Sequence, residues 1–469
     1  MGKRNKNIEL ANIRVENYAA EGKSIARVDG KVIFIENVVP GDVVDLRLGK
    51  NKKDWAEGYV TAFREYSSQR VEPFCSHFGV CGGCRWQMLP YPLQLQYKQQ
   101  QVEDVLQRIG KVELPAITPI LGAPESTLYR NKIEYTFSNR RFLLPKELHD
   151  PAVTPQQNVA GFHARGLFDK VVDIDTCHLQ AEPTNRLRKA VRDFGLERGL
   201  SFYDIREHQG WLRNLMLRIC TTGEVMANLV LGYDDEQLTG ELTGRLLQQF
   251  PELTTLLVTI NTKWNDSISD LEPRVVHGKG FVIEQLEDFR FKIGPKSFFQ
   301  TNTRQGEELY RITREYAELT GKETVYDLYC GTGSIGIFVS RQAARIVGVE
   351  VVPEAVADAV ENAALNDIPH ARFFAGDVVK ICDDAFFARE GRPDVIITDP
   401  PRAGMHEGLV NKILEIGAPT VVYVSCNPAT QARDLRLLDA KYAVAKVQPV
   451  DMFPHTHHIE NIVQLKLRG

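Results

Sequence analysis

The feature that most limits how this chain can fold is a change of pattern at Thr324. Beyond it, short apolar runs rich in branched residues (Val325–Tyr329, Arg345–Glu350, Arg372–Ala375, Val395–Thr398 and Val421–Ser425) alternate with helix-length segments such as Pro353–Leu365 and Glu407–Ile416. Short apolar strands alternating with helices predict a parallel, doubly wound sheet. The first of these strands runs directly into Cys330-Gly331-Thr332-Gly333-Ser334-Ile335-Gly336. Glycines at that spacing allow a tight strand-to-helix turn and let the backbone approach a ligand closely. Glu350 ends the next strand, 350 − 331 = 19 residues past the first glycine. A carboxylate there can accept hydrogen bonds from both hydroxyls of a ribose. The set suits either a dinucleotide or S-adenosylmethionine.

Two further strand ends carry reactive groups to the same edge. Asp399-Pro400-Pro401-Arg402 closes the fourth strand, and an Asp after a largely apolar run needs a partner. Asp-Pro-Pro followed by an aromatic residue marks amine methylation; Arg402 in that place argues against it. Cys426, in Val424-Ser425-Cys426-Asn427-Pro428, lies just beyond the fifth strand. A lone thiol at a strand end is ordinarily structural. Beside a cofactor edge it suits covalent catalysis: a thiolate adding to carbon 6 of a uracil makes carbon 5 nucleophilic toward a methyl sulfonium. A base must then remove the carbon 5 proton. Glu460, at the mouth of the last apolar run, Ile462–Leu467, is the candidate. With His455, His457 and His458 it also resembles a zinc site. Adjacent His457 and His458 should face opposite ways on an extended chain, which disfavours the metal.

Upstream, residues 1–68 read as a small β-barrel of the oligonucleotide-binding type. Its five short strands are Ile8–Val15, Ser24–Val28, Lys31–Ile35, Val43–Leu48 and Trp55–Phe63, with turns at Gly22, Asp29-Gly30, Pro40-Gly41 and Gly49. The Gly49–Lys53 turn carries Lys50, Lys52 and Lys53. Residues 69–90 hold Cys75-x5-Cys81-Gly-Gly-Cys84. Eight cysteines in 469 residues are too few for a disulfide scaffold, so the clustered ones point to a metal centre. The fourth thiol must come from afar: Cys177 is best placed, whereas Cys220 lies inside a strand-like run. Irregular spacing of sulfur donors favours a four-iron cluster over a zinc ribbon. Residues 91–290, opening with a helix over Tyr91–Ile109, read as a central α+β domain with an exposed loop at Leu143–Val159, and residues 291–469 as the catalytic unit.

Composition excludes little but directs the search. With 43% hydrophobic and 25% charged residues the chain is an ordinary globular protein, and no apolar run approaches the roughly 20 residues of a membrane span. Met1–Asn7 is basic and leads into a charged segment, unlike a secretory signal, so a cytoplasmic location is expected. The net charge of −4 means that any nucleic-acid surface must be a local patch.

Taken together, these motifs resemble the RNA uracil-5 methyltransferases, and in particular the 23S ribosomal RNA branch that carries a TRAM domain and a [4Fe–4S] cluster. The resemblance covers essentially the whole chain, including Phe298-Phe299-Gln300-Thr301-Asn302, Asp327–Gly336, Asp399–Gly404, Ser425-Cys426-Asn427-Pro428 and His458-Ile459-Glu460. It implies a Rossmann-like α/β catalytic domain preceded by the barrel and the α+β domain. Gln300, Tyr329, Gly331, Gly333, Glu350, Asp399 and, more weakly, Asp377 would bind S-adenosylmethionine. Cys426 would be the nucleophile, Glu460 the base and Asp399 a uracil contact. Cys75, Cys81, Cys84 and Cys177 would hold the cluster. The implied partner is RNA, ribosomal in preference to transfer RNA, met by a monomer. Phosphate contacts would come from Lys50, Lys52 and Lys53, with Arg130, Lys132 and Arg140 as further candidates.

Overall fold

The computed structural model describes residues 8–144 and 147–469. The basic stretch Met1–Asn7, and Pro145 within the expected loop, lie outside the described residues. The first sheet is built from β1 (Glu9–Arg14), β2 (Asn17–Tyr18), β3 (Ser24–Val28), β4 (Lys31–Ile35), β5 (Val43–Asn51) and β6 (Trp55–Glu65), in the order β1-β5-β6-β4-β3-β2. Val15, Ala26, Ile33, Ile35, Val44 and Leu46 fill its interior, and β1 also meets β3, so the sheet curls upon itself. Asp29 and Gly30 both have positive φ, the requirement of a two-residue hairpin turn between twisted strands. One expectation fails here. β5 continues through Lys50 to Asn51, its register against β6 shifting between Leu48 and Asn51, so Lys50 is a strand residue lying over the Trp55 ring.

The cysteine segment leads into α1 (Tyr91–Val105), which ends in one wider turn, Leu106–Gly110. A second sheet follows: β7 (Lys132–Ser138), β8 (Val159–His163), β9 (Val171–Asp173), then α2 (Thr184–Glu197), β10 (Leu212–Ile219), β11 (Val225–Leu231), α3 (Glu236–Gln249), β12 (Thr255–Ile260) and β13 (Arg274–His277). Its order is β13-β12-β11-β10-β7-β8-β9. Leu187, Val191 and Phe194 of α2 and Leu242 and Leu246 of α3 bury themselves against it. The hairpin of β14 (Val282–Leu286) and β15 (Phe289–Ile293) packs instead into the C-terminal core.

That last unit opens with α4 (Thr303–Ala317), capped by the Asn302 side chain, which accepts from Gln305 N. It continues through β16 (Thr324–Leu328), α5 (Ser334–Val339), β17 (Arg345–Glu350), α6 (Pro353–Leu365), β18 (Ala371–Ala375), α7 (Val378–Ile381), α8 (Asp384–Glu390), β19 (Val395–Thr398), α9 (Glu407–Ile416), β20 (Thr420–Ser425), α10 (Pro428–Leu438), β21 (Tyr442–Val450) and β22 (Glu460–Leu467). The order is β18-β17-β16-β19-β20-β22-β21. β16 to β20 are parallel, and β19 and β20 are buried at every residue, as helices on both faces require. These are the five runs expected to be parallel; β22, beyond them, inserts antiparallel between β20 and β21. The strand order reverses between β16 and β19, the switch point at which open α/β sheets bind ligands.

A buried ion pair ties this sheet to α1. Lys98 Nζ lies 2.6 Å from Asp451 Oδ1, both side chains have no exposure, and the ammonium also reaches Phe453 O at 3.2 Å. Tyr91 O–H donates to the other Asp451 oxygen, and Gln305 donates to the Asp451 carbonyl. The loop joining β21 to β22 is thus held from two sides. Removing one member of a buried pair strands the other charge, so Lys98→Ala should lower unfolding stability by about 3–5 kcal/mol in urea titration. Arg341→Ala, which loses a surface pair with Asp288, should change it by less than about 1 kcal/mol. Equal losses would contradict the role given to Lys98.

Candidate active site

The glycine turn after β16 places three alternate residues in the left-handed region at the sheet edge: Tyr329 (φ 62), Gly331 (φ 52) and Gly333 (φ 77). Tyr329 pays a steric penalty that the fold holds in place, because Tyr329 N and Cys330 N both donate to Val349 O, at 3.0 and 3.2 Å. A Cβ on Gly333 would stand 3.0 Å from Ala359 and Phe373, so glycine is required there by both space and φ. Glu350 is aimed at this turn by three amides: Gly331 N donates to one oxygen, Val351 N and Val352 N to the other. Gln300 is buried, its carbonyl accepting from Asn131 Nδ2 at 2.8 Å. Tyr310 O–H meets Ser334 Oγ at 2.9 Å, joining α4 to α5 behind the turn. Asp377 caps α7, where its carboxylate accepts from Val379 N.

The nucleophile candidate follows from the register of β20 and β22. Ser425 pairs with Asn461, so Cys426 and Glu460 stand opposite each other one step beyond the last pair. Directly opposed residues of antiparallel strands have Cβ atoms about 4.5–5.5 Å apart. Asp399 comes from the end of β19, the neighbour of β20 on its other side. The three groups act on one another electrically. Burial, and then the nearby Glu460 and Asp399, push the Cys426 thiol up to about 12, with Arg402 opposing. Burial, and then Asp399, hold the Glu460 carboxyl well above the usual range, again with Arg402 opposing. Desolvation alone raises Asp399 to about 7. Asp327, fully buried and donated to by Gly336 N at 2.8 Å, is likewise lifted to about 7 by burial, Asp399 and Glu350.

Two groups at this edge escaped the reading of the sequence. Asp327 is buried beneath the glycine turn; a carboxyl inside an apolar strand was its signal. Arg402 entered only as a departure from the aromatic pattern. Its guanidinium meets the ring nitrogens of His458 at 3.1 and 3.3 Å, and its carbonyl accepts from Asn427 Nδ2 and Thr430 Oγ1. The histidine expectation is corrected: His457 and His458 do not face apart, their ring centroids being 4.2 Å from each other. The chain there is a turn, with His455 in the left-handed region (φ 64), not an extended strand.

Cys75, Cys81, Cys84 and Cys177 line a single cavity of about 390 Å³, together with Arg130, Lys132 and Phe162. Burial raises all four thiols, Cys81 to about 11 and Cys84 to about 12. Among the described residues, no group of three or more His, Cys, Asp and Glu side chains stands ready to hold a metal ion. Cys220 lies elsewhere, in the C-terminal core. Of the basic candidates, Lys52 and Lys53 are exposed. Lys132 and Arg130 line the thiol cavity, and Arg140 is paired with Asp204 at 2.8 Å. No helix among the described residues is long and apolar enough to cross a membrane.

Comparison with known proteins follows the same lines. The family model described as tRNA (Uracil-5-)-methyltransferase matches residues 271–468. The chain is 55% identical over 454 residues to an uncharacterized RNA methyltransferase of Bacteroides thetaiotaomicron, covering 96% of this chain and 100% of the relative. It is 48% identical to another from Porphyromonas gingivalis, covering 97% and 99%. Among solved structures, Pyrococcus abyssi tRNA (uracil-54, C5)-methyltransferase in complex with S-adenosyl-L-homocysteine matches 98% of this chain and 100% of its own, with 26% identity and a TM-score of 0.73.

The elevated Asp327 carboxyl gives a test independent of function. Because its folded value, about 7, exceeds that of the unfolded chain, its contribution to stability is full in acid and is lost as pH rises through 7. Asp327→Asn does not titrate. Its stability relative to the native protein should therefore grow between pH 5.5 and pH 8.5, by on the order of 2 kcal/mol. Urea midpoints that differ equally at both pH values would show that Asp327 is ionised throughout.

Proposed function

The chain belongs to the tRNA (uracil-5-)-methyltransferase family of RNA methyltransferases, and from that premise we propose that it methylates carbon 5 of a uridine in 23S ribosomal RNA through a covalent adduct on Cys426. The observation that carries this reading is the opposition of Cys426 and Glu460 across β20 and β22, beside Asp399 and the glycine turn. S-adenosylmethionine supplies an electrophilic methyl on a cationic sulfonium. Glu350, braced by three amides, is placed to accept from the ribose hydroxyls, and Gly331 and Gly333 leave backbone room beside it. Gln300, Tyr329 and Asp377 would be further contacts to the methyl donor. The carboxyls of Asp327, Asp399 and Glu460, held above the usual range in the empty site, ionise more readily once a cationic methyl donor lies beside them.

The uridine must leave its stack to enter such a site. Cys426 Sγ, as thiolate, adds to carbon 6; the carbon 5–carbon 6 π bond breaks and its electrons move to oxygen 4 as an enolate. Asp399 would hold the uracil edge. Carbon 5 then takes the methyl group as its bond to the sulfonium breaks, the electron pair staying on sulfur to leave S-adenosylhomocysteine, and Glu460 removes the carbon 5 proton. The electrons of that C–H bond rebuild the double bond and expel the thiolate. Burial suits Glu460 to this work, since a carboxyl held above its usual range is the stronger base once ionised.

For the thiol cavity we favour a [4Fe–4S] cluster, because four cysteines line the one cavity and an iron–sulfur centre takes four thiolates. Bound there, the cluster would cross-link the 75–84 segment to Cys177 and serve the fold. A transfer RNA substrate is the second reading, supported by the archaeal structure that matches nearly the whole chain and acts on tRNA.

The test is an RNA carrying 5-fluorouridine, whose fluorine cannot leave as a proton does. With S-adenosylmethionine the native protein should become trapped as an adduct that survives denaturing gels; Cys426→Ala should abolish it. Glu460→Gln should accumulate the adduct on ordinary RNA, with turnover down at least about 10³-fold. Trapping by Cys426→Ala would end the nucleophile assignment, and 23S and tRNA fragments run in parallel decide the substrate. Anaerobically purified protein should carry about four irons with equal sulfide. A Cys81→Ser/Cys84→Ser variant should lose both; zinc without sulfide would overturn the cluster.

A further inference from the structure

Three side chains bear on the charge of Cys426, and two of them, Glu460 and Asp399, are acids that oppose its ionisation. A thiolate facing two carboxyl groups needs a cation. The need recurs one step later, when negative charge moves from sulfur to the uracil oxygen. Arg402 is the cation whose charge bears on both Cys426 and Glu460. The fold fixes it from each side. Its carbonyl accepts from Asn427 and Thr430, which belong to the turn and helix that follow Cys426. Its guanidinium meets His458, two residues before Glu460.

We propose that Arg402, oriented by His458 between the nucleophile turn and the base loop, is the cation that supports the Cys426 thiolate and then the uracil enolate. The inference rests on the reaction course given above and adds a residue to it. His458 suits the task because it is a neutral partner: burial, and then His457, Arg402, Lys98 and Arg130, push its imidazole down to about 3. A neutral ring accepts a hydrogen bond from the guanidinium and directs it without cancelling its charge, as a carboxylate would. Lysine at the same place would keep the charge but lose the fork geometry.

Arg402 is exposed in the free chain. Water there weakens its pull on the sulfur without abolishing it, consistent with a thiol that stays high until substrate arrives. An extruded base covering the site expels that water and strengthens the attraction between guanidinium and sulfur. Nucleophile activation is thereby tied to occupancy, and the resting thiol is kept protonated.

Two readouts test this. Alkylation of Cys426 by iodoacetamide, followed on its peptide by mass spectrometry, needs neither RNA nor methyl donor. At pH 8.5, Arg402→Gln should be alkylated about three- to tenfold more slowly than the native protein, Arg402→Lys within about twofold. His458→Glu, which sets a carboxylate against the guanidinium, should behave like Arg402→Gln. On 5-fluorouridine RNA, Arg402→Gln should slow adduct formation about 30-fold or more at pH 7.5, with the deficit shrinking toward pH 9.5 and RNA affinity held within about threefold. Unchanged alkylation in Arg402→Gln overturns the proposal. So does a loss confined to RNA affinity, which would make Arg402 a phosphate contact. If the native protein forms no adduct while alkylation follows the expected order, the reaction course fails and the role of Arg402 toward the thiolate stands.

Discussion

In the reaction proposed, a base can serve a thiol only if the fold carries both to one edge, and here that depends on a single strand running antiparallel to its neighbours. Five parallel strands bring the glycine turn, Asp399 and Cys426 to the carboxyl edge of the sheet, as any doubly wound fold would. A sixth parallel strand would have delivered Glu460 to the opposite edge, because Glu460 is the first residue of its strand. By inserting antiparallel between β20 and β21, β22 starts where β20 ends. Its direction turns a remote carboxyl into the partner of Cys426.

This concentration of carboxyls has an electrostatic consequence that shapes everything bound there. Asp327, Asp399 and Glu460 are each raised, and each raises a neighbour. Such a site is costly to ionise when empty and welcomes positive charge, which suits a sulfonium. The same acids oppose ionisation of the Cys426 thiol, and Arg402 opposes them.

The parts of this arrangement legible in the sequence are those set by local pattern. Strand–helix alternation, the glycine turn, Glu350 and the strand-end positions of Asp399 and Cys426 all follow from spacing, because parallel strands buried on both faces read as short apolar runs. What spacing could not convey is direction and company. Nothing between Tyr442 and Leu467 states that two strands pair antiparallel, which decides where Glu460 sits. His457 and His458 looked divergent only on the assumption of extended chain, an assumption broken by the left-handed His455. Arg130, Lys132 and Arg140 stand out as candidate phosphate contacts because charge is visible in sequence, whereas the cavity wall and the Asp204 pair in which they take part are tertiary.

The cysteine segment, far from Cys426 in sequence, is physically continuous with the base loop. Arg85 N and Trp86 N both donate to His455 O, and Gln94 binds the backbone amide and the ring of the same histidine. Phe74 packs edge-on against both His178, the neighbour of Cys177, and His455. Tyr129 O–H donates to Pro454 O, and Lys98 holds Asp451. A left-handed histidine is strained, and such a residue persists only where its surroundings over-determine it. The contacts that do so come from the residues flanking the thiol cavity and from α1. The conformation that presents His458 to Arg402, and Glu460 to Cys426, therefore depends on the order of the cysteine segment. A centre holding Cys75, Cys81, Cys84 and Cys177 together would fix that segment, and through it the base loop, without touching substrate.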